Sequence, residues 1–203
     1  MKVLKRCFDL TLASGALLIL APVMLLTALW IKIDSRGPVL FRQDRVGLNG
    51  KLFAIYKFRT MEAGSRRQLQ SGITVGADPR ITRAGALLRK YKLDELPQFI
   101  NVLRGDMSVV GPRPEVPQYV ATYPPQTRDR VLSVRPGITD LASIAYRNES
   151  ELLGRAEDPE ALYVEQILPD KLDFCLQYVA SRSLWLDVVI IWRTVLAIFG
   201  HRR

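Results

Sequence analysis

The chain has 203 residues, 48% of them hydrophobic, which excludes a disordered basic tail and allows one domain with or without a membrane element. The formal net charge of +9 favours a polyanionic partner: nucleic acid, an anionic membrane surface or a phosphorylated substrate. The two cysteines, Cys7 and Cys175, lie far apart, so neither a disulfide framework nor a zinc site is expected, and a reducing cytosolic setting fits. The single histidine, His201, excludes a histidine-based triad, so any nucleophilic chemistry must come from carboxylates, lysine, tyrosine or serine.

The segment from Leu10 to Ile31 is almost wholly apolar and long enough to cross the hydrocarbon core of a bilayer. It is too long for a typical signal peptide, and no small-x-small cleavage site precedes Lys32. Basic residues flank both ends, which favours the cytoplasm for both. Pro22 lies near the middle, where a proline removes a hydrogen bond and kinks a helix. The residues alone leave two paths open, a re-entrant helix and a straight span.

Two β-rich segments follow the apolar run. Residues 39–43 and 51–61 are predicted to pair as a hairpin around a glycine-containing turn at residues 47–50. Residues 62–78 are polar and contain glycine, which predicts a mobile loop. Residues 82–91 predict a short helix capped by the threonine at its start.

Asp94 and Glu95 are adjacent carboxylates, and the sequence predicts a helix from Asp94 to about Leu103 that Gly105 would stop. The helix N-terminus and the basic residues just before it would keep Asp94 ionised. Asp94 would then be available as a nucleophile or a metal ligand. The alternative is that Asp94 only caps the helix, which is the common role of aspartate at such a position.

Two arginines are predicted to project from stiff loops. Arg113 lies between two prolines, and Arg135 precedes a proline and a glycine turn. A rigid guanidinium suits bidentate contact with phosphate. Together with Lys57 and Arg59, these arginines give cationic positions that could converge on a diphosphate. The alternative for each is a surface arginine in a proline-rich turn.

The last third of the chain reads as helical. Residues 158–178 predict a scaffold helix that Pro169 interrupts. Residues 184–199 are apolar but contain Asp187 and Arg193, which argues against a lipid-spanning helix and for an amphipathic one at the membrane interface. The alternative is a buried core helix. The basic tail that follows would suit anionic headgroups.

The order of these motifs resembles the bacterial sugar transferases known as small monotopic phosphoglycosyl transferases. The matching segments cover nearly the whole chain in order and with fitting spacing. They are the basic and apolar N-terminus with its proline, YKFRTM at residues 56–61, LDELPQ at 93–98, NVLRGDMS at 101–108, GPRP at 111–114 and RPGIT at 135–139.

The resemblance implies an enzyme that moves a phospho-sugar from a UDP-sugar to polyprenol phosphate in the membrane and releases UMP. It implies that Asp94 is the nucleophile, forming a phospho-sugar–aspartyl intermediate, and that Glu95 is its partner in binding Mg²⁺. The substrate-binding residues expected from the cationic positions and the resemblance are Lys57, Arg59, Arg89, Arg113 and Arg135. A membrane-anchored scaffold without enzyme activity, with Asp94 as a helix cap, is the alternative function.

The expected architecture is α+β and mainly helical. It comprises a re-entrant membrane helix with its flanks in residues 1–36, a compact catalytic domain with a small β-hairpin in residues 37–183, and an interfacial helix with a basic tail in residues 184–203. The resemblance places such a chain on the cytoplasmic face of the bacterial inner membrane. The expected partners are a UDP-sugar, polyprenol phosphate and membrane lipids. Nucleic acid is not expected, because the positive charge is spread and no binding motif is present. The oligomeric state, monomer or homodimer, is left open.

Two departures from the family pattern stand out. Ala21 precedes Pro22 where a serine is familiar, so the hydroxyl that could bond the freed backbone is absent. Asp140 follows Thr139 where many relatives carry glycine, and Ser143 replaces an amide side chain. Residues 140–148 are therefore expected to shape sugar or nucleotide recognition differently, and no particular sugar is carried over.

Overall fold

The computed structural model describes residues 2–62, 75 and 78–200. Most of the loop predicted at residues 62–78, and the basic tail, lie outside the described residues. The described part is mainly helical, with two small two-stranded sheets. Its helices are α1 (Lys2–Asp34), α2 (Arg83–Lys90), α3 (Gln98–Arg104), α4 (Pro117–Val120), α5 (Pro125–Val131), α6 (Leu141–Ala145), α7 (Glu149–Gly154), α8 (Pro159–Leu162), α9 (Leu168–Ser181) and α10 (Leu184–Phe199). Its strands are β1 (Leu40–Val46), β2 (Leu52–Phe58), β3 (Ser108–Val110) and β4 (Gly137–Thr139).

Helix α1 is 33 residues long and continues through Pro22. Among the described residues it is the one helix long and apolar enough to cross a membrane by length and composition. Its apolar middle faces outward, with Leu18 and Ile19 each 78% exposed. The predicted long apolar helix is therefore confirmed, whereas its re-entrant path stays a prediction.

Both ends of α1 pack against the rest of the chain. Near its start, the Asp9 carboxylate accepts hydrogen bonds from Ser108 Oγ at 3.0 Å and from Val109 N at 3.1 Å, both in β3. At its end, Asp34 Oδ2 accepts a hydrogen bond from Ala84 N at 3.0 Å, in the first turn of α2. The two ends are thus held by the same folded body, while the middle of the helix is left largely uncovered.

A buried ionic network joins the first turns of α1 to the last helix. Lys5 Nζ lies 3.0 Å from Asp9 Oδ1 and 2.9 Å from Asp187 Oδ2 of α10. The Tyr178 hydroxyl of α9 donates to Asp187 Oδ1 at 2.8 Å. One face of α10 therefore carries a buried carboxylate. The other exposes Trp185 and Trp192. The predicted two-sided character of α10 is present, and its position at a membrane interface stays a prediction.

The predicted hairpin is confirmed. Strands β1 and β2 pair antiparallel from Leu40 opposite Phe58 to Val46 opposite Leu52. The connection uses positive φ angles at Asn49 (56°) and at the glycine after it (79°), as a tight turn requires.

Strands β3 and β4 pair in parallel, and two glycines bring their ends together. A Cβ on Gly137 would overlap the backbone of Gly111, so both positions need glycine for this approach. Gly137 N donates to Pro112 O at 3.0 Å. Because parallel strands end at the same edge, the residues that follow them, Arg113 and Asp140, come to lie side by side.

The remaining helices form the wall behind this edge. Tyr163, Ile167 and Leu168 are buried in the main hydrophobic cluster. The segment Tyr163–Ile167 takes π-helical geometry and ends two residues before Pro169, which lacks the N–H that a regular helix would use. The interruption predicted at Pro169 is thus a local change of helix type, with α9 continuing to Ser181.

Candidate active site

The segment that carries the two adjacent carboxylates is a 3₁₀ turn, Leu93–Glu95, and α3 begins only at Gln98. Lys92 has a φ of 56°, so the chain reverses sharply after α2 before the turn starts. The prediction that Asp94 is the N-cap of a helix reaching Leu103 is wrong, because Pro97 is at the N-cap position of α3 and the helix runs from Gln98 to Arg104. The helix does end at Gly105, whose φ is 90°, as expected.

Glu95 is held between two cations. Its Oε1 accepts a hydrogen bond from Lys57 Nζ at 2.8 Å and another from Arg113 Nη2. Its Oε2 lies 3.4 Å from Arg113 Nη1. Burial would raise the pKa of Glu95, but Arg113 and Lys57 outweigh it and hold that pKa well below its usual range. In return, Glu95 raises the pKa of Arg113. Glu95 is therefore an ionised carboxylate with both oxygens engaged.

Asp94 lies in a different environment although it is the next residue. Its Oδ1 is buried and has no hydrogen-bond partner among the described residues. Burial raises the pKa of Asp94, and the charge of Glu95 raises it further, against the opposing effects of Lys57 and Lys92. The expectation that a helix N-terminus and nearby cations lower the pKa of this carboxyl is wrong, because no α-helix begins at Asp94 and burial is the largest effect on that pKa. The ionisation of Asp94 itself stays a prediction.

Arg89 approaches the carboxylates from the last turn of α2. Its Nε donates to Thr60 Oγ1 at 2.9 Å, just beyond the end of β2. The helix can lie this close because Gly85 has no side chain. A Cβ there would overlap the Thr60 carbonyl. The predicted helix at residues 82–91 is confirmed, and its cap is Thr82, whose Oγ1 accepts from Gly85 N at 3.0 Å.

The Arg113 loop is braced from the hairpin and from the helical wall. Arg45 Nη1 in β1 donates to Pro114 O at 3.1 Å and lies 3.4 Å from Glu115 Oε2. The Tyr163 hydroxyl donates to Glu115 Oε1 at 2.8 Å. The stiff arginine loop predicted from its prolines therefore has additional fixed contacts, and its guanidinium points at Glu95.

Two of the predicted phosphate-binding arginines lie elsewhere. Arg59 is buried and donates to the carbonyl oxygens of Arg36 and Ser35, each at 2.8 Å, where α1 ends. Arg135 is exposed, and its Nε donates to Gly105 O at 2.9 Å, where α3 ends. Each cation satisfies carbonyls at a helix C-terminus, a favourable place for positive charge. The structure does not bring either arginine to Asp94.

A cleft of about 1370 Å³ opens in front of the carboxylates. Its charged lining includes Lys57, Arg89, Lys92, Asp94, Glu95 and Arg113. The inner face of α10 and the segment from α6 to α7 form other parts of the wall. The size suffices for a drug-sized or larger ligand, and the cations concentrate at the end where the two carboxylates lie. This arrangement suits a polyanionic ligand that meets a carboxyl group.

The carboxyl pair alone supplies few ligands for a metal ion. The described residues contain no group of three or more His, Cys, Asp or Glu side chains that could hold a metal. Both Glu95 oxygens accept from cations, whereas Asp94 Oδ1 is unpartnered. Mg²⁺ is commonly bound by one or two carboxylates together with substrate phosphates, so the carboxyl group of Asp94 fits it beside a substrate diphosphate. Metal binding by Glu95 stays a prediction, and it would require Lys57 or Arg113 to give way.

Sequence reasoning missed three residues of this region: Arg45, Lys92 and Asp140. Arg45 is a charged residue in a strand with a largely buried side chain, and its distant partners Pro114 and Glu115 are not apparent from the sequence. Lys92 belongs to a basic run, and its positive φ has no sequence signal. The sequence shows Asp140 only as a departure from a family pattern.

Comparison with known proteins gives the family of the chain. The family model described as bacterial sugar transferase matches residues 1–201. The chain is 39% identical over 204 residues to the UDP-glucose:undecaprenyl-phosphate glucose-1-phosphate transferase of Escherichia coli (strain K12), covering 99% of this chain and 41% of that protein. It is 39% identical over 209 residues to the UDP-N-acetylgalactosamine-undecaprenyl-phosphate N-acetylgalactosaminephosphotransferase of Aeromonas hydrophila, covering 98% and 45%.

A third relative is similar in length. The exopolysaccharide production protein PSS of Rhizobium leguminosarum bv. phaseoli is 41% identical over 209 residues, covering 96% of this chain and 94% of that protein. The chain thus spans less than half the length of the Escherichia and Aeromonas relatives and nearly all of the Rhizobium one. The match of the family model over almost every residue, in a chain with this cleft and carboxyl pair, shows that it belongs to the bacterial sugar transferase family.

Proposed function

We propose that this chain transfers a phospho-sugar from a UDP-sugar to a membrane polyprenol phosphate, giving polyprenol-diphosphate-sugar and UMP through a covalent intermediate on Asp94. The relatives' names supply the reaction class, since they include undecaprenyl-phosphate sugar phosphotransferases acting with UDP-glucose and UDP-N-acetylgalactosamine. The observation that carries the role of Asp94 is that the residue lines a cleft with cationic neighbours while its Oδ1 has no hydrogen-bond partner among the described residues.

In the first step, an Asp94 carboxylate oxygen attacks the β-phosphorus of the UDP-sugar. The new O–P bond forms as the bond between the β-phosphorus and the bridging oxygen breaks, and UMP leaves with that oxygen. The protonated form of a buried carboxyl is unreactive, so Asp94 must be ionised when the donor is bound. Asp94 lines the cleft, so its carboxylate can meet the phosphorus of a donor bound there.

In the second step, a phosphate oxygen of the polyprenol phosphate attacks the same phosphorus. The bond from Asp94 to phosphorus breaks, the carboxylate is regenerated, and polyprenol-diphosphate-sugar leaves. Arg113 and Lys57 hold positive charge beside the reacting phosphorus in both steps, and Glu95 fixes their positions by accepting from both. Arg89, fixed by Thr60, supplies charge from the other side of the carboxyl pair. When bound, Mg²⁺ would offset diphosphate charge and relieve the repulsion between the adjacent carboxylates.

We further propose that α1 enters and leaves the membrane on one face. Its two ends contact β3 and α2 of the same folded body, and basic residues flank both ends. A helix whose ends are both bound by one body on one side of a bilayer cannot place them on opposite sides. Lys2→Cys in a Cys7→Ser background is expected to resist a membrane-impermeant thiol reagent added to intact cells. Labelling of that cysteine from outside would contradict the proposal.

The decisive experiment for the reaction is trapping of the intermediate. The purified full chain in detergent with Mg²⁺ is given a panel of UDP-sugars labelled in the β-phosphate, without acceptor. We expect label on the protein with at least one donor, release of UMP, and discharge of the label by polyprenol phosphate. Asp94→Asn should prevent labelling, whereas Asp44→Asn, on an exposed hairpin position, should not. Absence of label and of UMP with every donor would support the scaffold alternative.

A further inference from the structure

Asp140 is a buried carboxylate that bonds two separate backbone segments. It is 2% exposed. Its Oδ2 accepts a hydrogen bond from Arg113 N at 3.1 Å, and its Oδ1 accepts one from Ser143 N at 2.7 Å. The second bond is an ordinary N-cap of α6. The first is not required by any helix, since it crosses from the end of β4 to the loop after β3.

The Arg113 loop depends on this bond more than its sequence suggests. Pro112 and Pro114 have no N–H, so Arg113 N is the loop's one backbone donor at these three positions. Their carbonyls are held from other elements, Pro112 O by Gly137 N at 3.0 Å and Pro114 O by Arg45 Nη1 at 3.1 Å. Asp140 therefore completes the fixation of the loop at the residue whose guanidinium contacts Glu95.

We propose that Asp140 is a positioning residue that sets the Arg113 guanidinium against Glu95 and ties it to the cleft wall formed by α6. This inference rests on the proposed phosphoglycosyl transfer. Ala142, Ser143 and Ile144 of α6 line the cleft, and the hydrogen bond to Ser143 N attaches the first turn of that helix to the same carboxylate. A ligand that contacts this wall is thereby linked through one side chain to the arginine that faces its phosphate.

The two hydrogen bonds of Asp140 can be separated by substitution. Serine is a good N-cap but has one short side-chain oxygen, so Asp140→Ser keeps the bond to Ser143 N and loses the bond to Arg113 N. Asp158 is the matched control. It caps α8 through Glu160 N and Ala161 N, each at 3.0 Å, and is exposed, with no bond to the Arg113 loop. Asp158→Ser replaces an aspartate N-cap of α8 by a serine N-cap at a position away from the cleft.

The experiment measures steady-state UMP release with polyprenol phosphate and Mg²⁺ present for the wild type, Asp140→Ser and Asp158→Ser. Loss of one hydrogen bond that orients a charged group predicts a fall in kcat/KM for the donor of about tenfold for Asp140→Ser. No change is expected for Asp158→Ser. Thermal unfolding of all three checks folding. If Asp140→Ser is unfolded, Asp140→Asn, which retains one acceptor, takes its place.

The Arg113→Lys background distinguishes a positioning role of Asp140 from a merely structural one. Lysine cannot reproduce the paired contact with Glu95, so the effect of Asp140→Ser should largely disappear in the Arg113→Lys background. Equal kcat/KM for Asp140→Ser and wild type, or an undiminished effect of Asp140→Ser in that background, would overturn the proposal. Failure of the wild type itself to release UMP would instead count against the proposed reaction.

Discussion

Asp94 and Glu95 are consecutive residues with the same exposure, 9% each, and the protein shifts their pKa values in opposite directions. The difference lies in their partners. Glu95 accepts from Lys57 and Arg113, whereas Asp94 Oδ1 has no partner among the described residues. A short 3₁₀ turn makes this separation, because consecutive side chains in it point in different directions. Glu95 is therefore a fixed counter-ion, whereas burial of the Asp94 carboxylate without a partner for Oδ1 costs free energy.

Removing the charge of Asp94 should stabilise the protein while abolishing transfer. A group whose folded-state pKa is raised costs stability above its unfolded pKa, so Asp94→Asn removes that cost at neutral pH. We expect a Tm a few degrees higher than that of the wild type, measured by tryptophan fluorescence in detergent at pH 7. The gain should vanish in acid, where wild-type Asp94 is already protonated. A lower Tm at pH 7 would show that the carboxylate has a stabilising partner.

Neutralising Glu95 should have the opposite effect. Glu95→Gln leaves Lys57 and Arg113 buried without their anion, at a cost of about 3 kcal/mol. The folded-state pKa of Glu95 is lowered, so its contribution is present above the unfolded value of about 4.3 and is lost only as pH falls through the folded value. Urea unfolding of Glu95→Gln and the wild type at pH 7 measures the loss in free energy of unfolding, and the same comparison at pH 4 shows whether the loss is still present there. A stability equal to that of the wild type would contradict the ion-pair assignment.

The rate of UMP release should have a bell-shaped pH profile that is narrower than the ordinary pKa values of aspartate and lysine would give. Burial raises the pKa of Asp94, so the acid limb should lie above the usual aspartate range. Burial also lowers the pKa of Lys57, against the opposing effect of Glu95, so the alkaline limb should lie below the usual lysine range. Lys57→Arg keeps its charge at high pH and should move only the alkaline limb upward. Movement of the acid limb in that variant would assign it to a group other than Asp94.

Gly85 should tolerate no side chain. Gly85→Ala pushes a methyl group into the Thr60 carbonyl, which should cost about 1–3 kcal/mol and displace α2 with Arg89. We expect a lower Tm and a higher KM for the donor. Gly15→Ala is the matched control, since a Cβ at this helical position of α1 has no neighbour within 4 Å. It should leave the KM unchanged, and a similar rise in KM in both variants would contradict the role of the α2 contact.

Local pattern predicted much of the fold. The hairpin, the Thr82 cap and the helix stop at Gly105 all follow from signals within a few residues. The prediction that Asp94 caps a helix was wrong for a reason that is also local, namely the backbone conformation around it, which composition does not reveal. The positive φ of Lys92 and the missing N–H of Pro97 delay the helix until Gln98.

The site itself was only partly predictable. Lys57, Arg89 and Arg113 were chosen for their charge and their motifs, and they do lie beside the carboxyl pair. Arg59 and Arg135 have the same charge and also lie in matching motifs, but tertiary packing places them at the ends of α1 and α3. Whether an arginine meets a phosphate or a helix carbonyl depends on which element packs against it, and that is fixed by contacts many residues away.

The Lys5 network has a consequence for synthesis of the chain. Lys5 and Asp9 are synthesised long before their partner Asp187. During translation the first helix therefore carries a carboxylate beside a long apolar run, without the contacts that later bury it. Such a charge resists deep insertion, so it would keep the start of the helix at the water surface until α10 is complete. Completion of α10 is thus also the step that supplies the last partner of this ionic network.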